Sequence, residues 1–491
     1  MKQLARASIF LFAAQAIALV LKMIGTKFLA IYIGPSGLSV VNQLIFFYVW
    51  LVNFGTFGVT GGLTKYISEY YGQGNIEGIK KLLVTSILIL TGGSLCLVAA
   101  SLALSSQISY FLLNTTEYAS LVVLICLLLP INILVETLAS LIYGYSLVKQ
   151  MGLFIIFSAV VEIASLIPLI RYFGIKGPIL TSWIVISSQL AIAFFFYHHY
   201  APVKVGIKNY TRKFFELKTS RKVFHYGFVA MLILLIKNLF FTIVFRKLII
   251  TFCGIEQNGI YSPAFGFSTQ MFFLISTTVY GYSLPRISAA KTEAEISTEV
   301  NQLLRGTIFL MFPSLFCLIS YRTLIINILY TSQFLPVINV MPVQFIGDFF
   351  KVIVIAVSLP LFARADLKAM FGYEVGMGVL FYFLAHFMVS HYALDGAAWA
   401  YFILYFIYLG LVFPYVRRRF GVRINKQNLL LLAVSLIMLI CSRWLPQDLL
   451  LLIPLSIFML TAWAALVLNT DERRYVMDKA LAIGRKTAIS K

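Results

Sequence analysis

The sequence predicts an all-α polytopic membrane protein: about 14 transmembrane helices, arranged as two six-helix lobes in parallel repeat plus two C-terminal helices. Three observations carry this expectation. The first is composition: of 491 residues, 60% are hydrophobic and 12% charged, with a mean hydropathy of +0.92. A soluble domain has roughly 45–50% apolar and about 25% charged residues. The second is an internal repeat. Lys149-Gln150-Met151 is echoed by Lys368-Ala369-Met370, 219 positions later. Gly177, which opens a span after Tyr172-Phe173-Gly174-Ile175-Lys176, is echoed by Gly396 after His391-Tyr392-Ala393-Leu394-Asp395. The Gly-rich breaks Gly34-Pro35-Ser36-Gly37 and Gly254-Ile255-Glu256-Gln257-Asn258-Gly259 stand near the start of each half. The third is the placement of Lys and Arg, which follows the membrane.

Taken in order, the apolar runs are 8–33, 38–61, 82–107, 118–147, 152–172, 178–198, 226–252, 260–284, 303–328, 337–363, 370–391, 396–416, 428–444 and 449–468. Each approaches the roughly 20 residues that a helix needs to cross a bilayer. The first run begins after Lys2 and Arg6 and reaches Ile33. It is longer than the ~7–15-residue core of a signal peptide and reads as a retained helix. Helices 1–6 and 7–12 form the repeat, and six spans return the chain to its starting side, so both copies point the same way. The boundaries that follow are an N-terminal lobe over 1–200, a basic linker over 201–224, a C-terminal lobe over 225–420, and two extra helices with a basic tail over 421–491.

The formal net charge of +21 does not call for nucleic acid, because topology explains it. With the N-terminus inside, 29 of the 39 Lys and Arg fall in inner segments and three (Arg171, Lys176, Arg443) in outer loops. That bias predicts both termini on the cytoplasmic side of a bacterial inner membrane. Seven basic residues between Lys204 and Lys222 face the anionic lipid leaflet, each worth on the order of 1 kcal/mol.

The other seven cations lie inside spans: Lys22, Lys27, Lys237, Arg246, Lys247, Arg322 and Lys351. A charge at the centre of a membrane helix costs about 2.5–3.5 kcal/mol on insertion scales, so each marks a candidate functional site. Helical spacing puts Ser8, Gln15, Lys22 and Thr26 on one stripe; Asn132, Glu136, Ser140 and Tyr143 on another; and Gln344, Asp348 and Lys351 on a third. Lys27, Arg246, Lys247 and Arg322 stand near helix ends, where snorkelling to the interface is the plain alternative. Asp348 and Lys351 suit a structural pair, whereas Lys22 and Lys237 are the most central lone cations. Glu136 and Glu162 read either as proton sites or as hydrogen-bonded carboxyls. A path lined by Lys and Arg attracts an anion, with phosphate the natural partner.

Enzyme chemistry finds no footing: there is no phosphate-binding glycine loop and no nucleophile elbow. The five cysteines and five histidines lack ligand spacing, so neither a metal nor another cofactor is expected.

Several stretches carry a family resemblance: Lys27-Phe28-Leu29-Ala30, Gly34-Pro35-Ser36-Gly37-Leu38, Gly62-Leu63-Thr64-Lys65-Tyr66, Arg246-Lys247-Leu248, Leu284-Pro285-Arg286-Ile287-Ser288, and Gln344-Phe345-Ile346-Gly347-Asp348-Phe349-Phe350-Lys351-Val352. Over roughly residues 4–420 the chain resembles the Wzx-type polysaccharide flippases of O-antigen and enterobacterial common antigen synthesis. Their superfamily includes multidrug exporters and the peptidoglycan lipid II flippase. The resemblance implies transport of an undecaprenyl-diphosphate-linked oligosaccharide from the cytoplasmic to the periplasmic leaflet by alternating access, with membrane lipids, a polysaccharide polymerase and a chain-length regulator as partners. It carries over Lys27, Lys65, Arg246, Lys247, Asp348 and Lys351. The substrate-binding candidates are thus Lys22, Lys27, Lys237, Arg246, Lys247 and Lys351, and the coupling or gating candidates are Asp348, Glu136, Glu162 and Lys65. The competing reading is an ion-coupled exporter of drugs or organic cations on the same fold. Its pocket would favour carboxylates and aromatics, whereas membrane cations here outnumber acids. A membrane polymerase or ligase would need a sizeable outer loop, and the expected outer loops are short.

Overall fold

The computed structural model of the chain describes residues 2–56, 59–203, 231–278 and 283–468. Most of the expected basic linker and the basic tail therefore lie outside the described residues. Among those described, the regular structure is helical throughout.

The first half consists of α1 (Lys2–Gly55), α2 (Val59–Gly72), α3 (Ile76–Ala103), α4 (Ser105–Leu113), α5 (Ala119–Cys126), α6 (Leu129–Gly144), α7 (Val148–Phe173) and α8 (Lys176–Tyr200). The second half continues from helical residues 231–238 through a π-helical turn, Leu239–Val244, into α9 (Phe245–Cys253). It then runs through α10 (Ile255–Thr278), α11 (Leu284–Ala289), α12 (Glu293–Ser320), α13 (Arg322–Leu329), α14 (Met341–Ala363), α15 (Leu367–Phe420), α16 (Lys426–Ser442) and α17 (Leu449–Val467).

Side-chain caps start several of these helices. Asn75 Oδ1 accepts from the Gly78 amide at 2.8 Å, Asp366 Oδ1 from Ala369 at 3.3 Å, and Asn425 Oδ1 from Asn428 at 2.7 Å. Each satisfies an amide that a first helical turn leaves without a partner. At the start of α12, Thr292 Oγ1 accepts from the Glu295 amide, and Glu295 returns a carboxylate oxygen to the Lys291 amide at 2.6 Å.

Among the described residues, nine helices are long and apolar enough to cross a membrane, fewer than the expected runs. The reason is physical. Two of the nine, Ala13–Gly55 with 43 residues and Leu367–Phe420 with 54, are each at least twice the length of about 20 residues that one crossing needs. Each is broken once, at Gly34 (φ 60°) and at Ala393 (φ 50°). The apolar α16 has 17 residues, just short of a full crossing. The helix through 231–253 carries Lys237, Arg246 and Lys247.

The sequence repeat recurs in the backbone. Positive φ angles occur at Gly34 and Gly254, at Ser146 and Ala365, and at Gly174 and Ala393, pairs separated by 220, 219 and 219 positions. The hairpin glycines match as well. A Cβ on Gly177 would stand 2.6 Å from the Leu169 carbonyl oxygen, and one on Gly396 would stand 1.9 Å from that of Met388. Only hydrogen fits where a chain folds back so closely.

The chain forms two compact units. Unit 1 holds residues 1–262, 327–335 and 371–397, and unit 2 holds residues 263–326, 336–370 and 398–491. In unit 1, α1 packs on α7, α7 on α8, and α6 on both α2 and α8. Its core joins Val40, Leu44 and Leu51 to Val122, Leu129 and, from the second half, Ile243 and Ile250. In unit 2, α12 is the central packing element, meeting α14 and α16, and α16 in turn meets α17.

Candidate functional site

The charged residues fall into separate clusters, each inside one unit. Unit 2 holds the most completely hydrogen-bonded of them. Gln344, Asp348 and Lys351 lie on one face of α14, as their spacing requires. Asp348 is 2% exposed. Its carboxylate accepts from the Tyr401 hydroxyl at 2.8 Å and from the Ser268 hydroxyl. Gln344 Nε2 donates to Ser268 Oγ at 3.1 Å, and Lys351 Nζ donates to the Tyr401 hydroxyl at 3.0 Å. The Lys351 ammonium also sits 4.6 Å from the centre of the Phe272 ring and 5.6 Å from those of Tyr401 and Tyr405. Aromatic faces stabilise a cation where water is scarce. Asp348 and Lys351 are therefore bridged by one phenol, which can pass a proton between them. Close approach makes this geometry achievable: a Cβ on Gly347 would meet Tyr401 at 2.7 Å.

Unit 1 holds the remaining candidates. Arg246 is 1% exposed. Its guanidinium donates to Ser262 Oγ at 2.6 Å and to the Asn258 carbonyl at 3.2 Å, and it stacks 5.4 Å from the Phe46 ring centre. Planar multi-donor geometry suits Arg to such a bracket. Lys237 is not the lone cation that its position suggests. It pairs with Glu374 of α15 at 3.5 Å, with the glutamate side chain 10% exposed and the lysine 34%. A π-helical turn begins two residues after Lys237, at Leu239, and such turns concentrate at functional positions. Lys27 donates to the main-chain carbonyls of Asn327 and Tyr330. Lys247 donates to the Tyr110 carbonyl and to the side-chain oxygen of Asn114.

Lys22 is exposed on α1, and Glu162 is exposed on α7. The two are near enough to interact electrostatically. Their helices meet at Gly25, where a Cβ would stand 3.2 Å from Leu166 and 3.3 Å from Ile163. Glu136 is exposed on α6, where its main-chain carbonyl accepts from the Ser140 hydroxyl at 2.8 Å. Lys65 is exposed on α2, 5.4 Å from the Tyr66 ring centre.

The structure thus brings Asp348 and Lys351 together through Tyr401 and pairs Lys237 with Glu374. Sequence reasoning missed Ser268, Tyr401 and Tyr405 as partners of Asp348 and Lys351. Hydroxyl-bearing residues are common on membrane helices, and nothing local singles these out. The Asn258–Ser262 step, a polar i, i+4 pair on α10, was the one available signal for the Arg246 bracket.

A family model described as "Polysaccharide biosynthesis protein" matches residues 94–339, half of the chain, and a second, MatE, matches residues 11–166. The lipid III flippase of Escherichia coli (strain K12) is 22% identical over 426 residues, which cover 85% of this chain and 99% of that protein. An inward-facing multidrug resistance MATE family transporter of the MOP superfamily superimposes with a TM-score of 0.73 at 12% identity, over 84% of this chain and 98% of its own. The lipid II flippase MurJ, in an inward closed conformation, gives 0.71 at 19% identity, over 94% and 98%. The fold is the one these transporters share.

Proposed function

The chain belongs to the polysaccharide biosynthesis protein family, and we propose that it is a flippase that carries a lipid-linked oligosaccharide across the bacterial inner membrane during surface polysaccharide synthesis. The match to a lipid III flippase along 99% of that protein's length carries this reading. The substrate class is an undecaprenyl-diphosphate-linked glycan moving from the cytoplasmic to the periplasmic leaflet. The polyisoprenoid stays in lipid while the diphosphate and sugars follow a polar path.

Within that reading, Lys22 and Lys237 attract the diphosphate. Each is a cation with part of its surface open, and Lys237 has the Glu374 carboxylate 3.5 Å away. At Lys237 a diphosphate competes with the carboxylate for the ammonium, so binding and release become an exchange of partners. Asp348, with its phenol bridge to Lys351, is the coupling group. Both termini face the cytoplasm in this reading, which the distribution of Lys and Arg supports. A polymerase and a chain-length regulator act on the product.

Complementation tests the proposal. The chain is expressed in strains lacking either a lipid III flippase or an O-antigen flippase, and surface glycan is assayed. Restored glycan in either strain is the expected result. A stably inserted protein that restores neither, yet lowers sensitivity to cationic drugs, would replace the flippase reading with the exporter.

A further inference from the structure

Lys27 and Lys247 occupy the same place in the two repeats, 220 positions apart, and they make the same contact in exchanged form. Lys27 Nζ donates to the carbonyl of Asn327, at 3.0 Å, and to that of Tyr330. Lys247 Nζ donates to the carbonyl of Tyr110, at 3.1 Å, and to Asn114 Oδ1. Tyr110 and Tyr330 are themselves 220 positions apart. Each lysine therefore reaches from its own repeat to the matching tyrosine of the other. Reciprocal exchange of this kind is the signature of a two-fold axis.

Both lysines dock at helix ends. Lys247 meets the end of α4 (Ser105–Leu113), where Asn114 takes the left-handed conformation at φ 60°. Lys27 meets the end of α13 (Arg322–Leu329). Carbonyls at the end of a helix carry the negative end of its dipole and have room for a second donor, as the Tyr110 carbonyl does beside the Asn114 amide, so an ammonium ion is favoured. The acceptors are neutral oxygens, which water can replace, so the contact is reversible.

A second polar layer lies on the same axis. Asn42 Nδ2 donates to Ser262 Oγ at 3.3 Å, and these two are repeat counterparts. Asn258 Nδ2 donates to Ser39 Oγ at 2.7 Å. A Cβ on Gly259 would stand 1.8 Å from the Pro35 carbonyl oxygen. Arg246 then fastens Ser262 and the Asn258 carbonyl from the side. The distribution of Lys and Arg along the sequence assigns the connections around residues 34–37, 104–118, 254–259 and 329–335 to the outer side of the membrane.

We propose that Lys27 and Lys247 are a paired outer latch, holding the transport path shut toward the periplasm, and that transport requires both to let go. This rests on the transporter reading above. It gives the two lysines a positioning role in the conformational cycle rather than a seat for substrate.

The test measures distance without substrate. In a variant free of the five native cysteines, nitroxides are placed at Glu117 and Ser332, both exposed and next to the latch acceptors. Their separation is read by double electron–electron resonance in lipid nanodiscs. The parent should give one dominant short distance. In K27M/K247M a longer distance should rise roughly tenfold in population, the scale expected for loss of a charge-assisted hydrogen bond. K27R/K247R, which keeps donors, should stay near the parent. Asn114→Gly keeps the left-handed backbone, lies at the surface, and should add nothing once Lys247 is Met. A distribution in K27M/K247M identical to the parent overturns the latch. If that variant fails to fold, K27A/K247A is read in its place, and a distribution identical to the parent overturns the latch. Because no cargo is needed, the latch can stand or fall whatever complementation reports.

Discussion

Gly174 and Ala393 share one backbone conformation, φ 53° with ψ −127° and φ 50° with ψ −130°, although only one of them is a glycine. They sit 219 positions apart at equivalent hairpins, each three residues before a glycine that packs against the preceding helix. For a residue with a Cβ this conformation costs roughly 1–3 kcal/mol.

Ala393→Gly should therefore stabilise the protein. The side chain is exposed, so losing the methyl forfeits little burial, and the added chain entropy of glycine offsets only about 0.5–1 kcal/mol. A net gain of roughly 1 kcal/mol is expected, and Gly174→Ala should cost about as much. Thermal midpoints of the purified variants check both, and a lower midpoint for A393G would contradict the strain.

Gly259→Ala should be damaging, because its Cβ would collide with the Pro35 carbonyl. Forcing these backbones apart should cost roughly 1–3 kcal/mol. Gly306→Ala is the control: nothing lies within 4 Å of its Cβ, and alanine is the better helix former by about 1 kcal/mol. Expression level and melting midpoint should move in opposite directions for the two variants.

Lys237 and Glu374 should behave as a unit. Lys237→Met or Glu374→Gln alone leaves one charged partner at a helix face, at a cost of roughly 1–2 kcal/mol. That lies below the figure for a fully buried pair because the lysine is 34% open. The double variant K237M/E374Q should recover part of the loss. Additive melting shifts would mean that the two do not interact.

Asp348→Asn and Asp348→Leu should separate stability from coupling. Asn keeps an acceptor for Tyr401 and should insert normally. Leu strands the hydroxyls of Ser268 and Tyr401, at about 1–3 kcal/mol each, and should lower yield. If Asp348 couples transport to protons, D348N should flatten the pH dependence of glycan export in vesicles. An unchanged pH profile in the triple amide D348N/E136Q/E162Q would remove proton coupling altogether.

Much of the fold was legible because membranes impose simple rules. Apolar run length located the helices, and the Gly34 and Gly254 breaks are visible by eye. Legibility ended where side chains cross between distant segments. Asp348 and Lys351 declared a shared face by their spacing, but Tyr401, fifty residues on, sits in a run of aromatics that reads equally well as lipid-facing. Lys237 looked solitary because Glu374 lies 137 positions away, near the end of another span. Lys27 and Lys247 looked like charges that snorkel, and their carbonyl acceptors leave no mark in side-chain sequence at all.

The two repeats share Lys27 and Lys247 but differ at their other membrane cations. The counterpart of Lys22 in the second repeat is Thr242, inside the π-helical turn, while the counterpart of Lys237 in the first is Ile17. An anion seated at one of these lysines has no symmetry-related seat to exchange into. If Lys22 and Lys237 receive the cargo as proposed, a near-symmetric scaffold acquires handedness toward it, and the head group enters one way round.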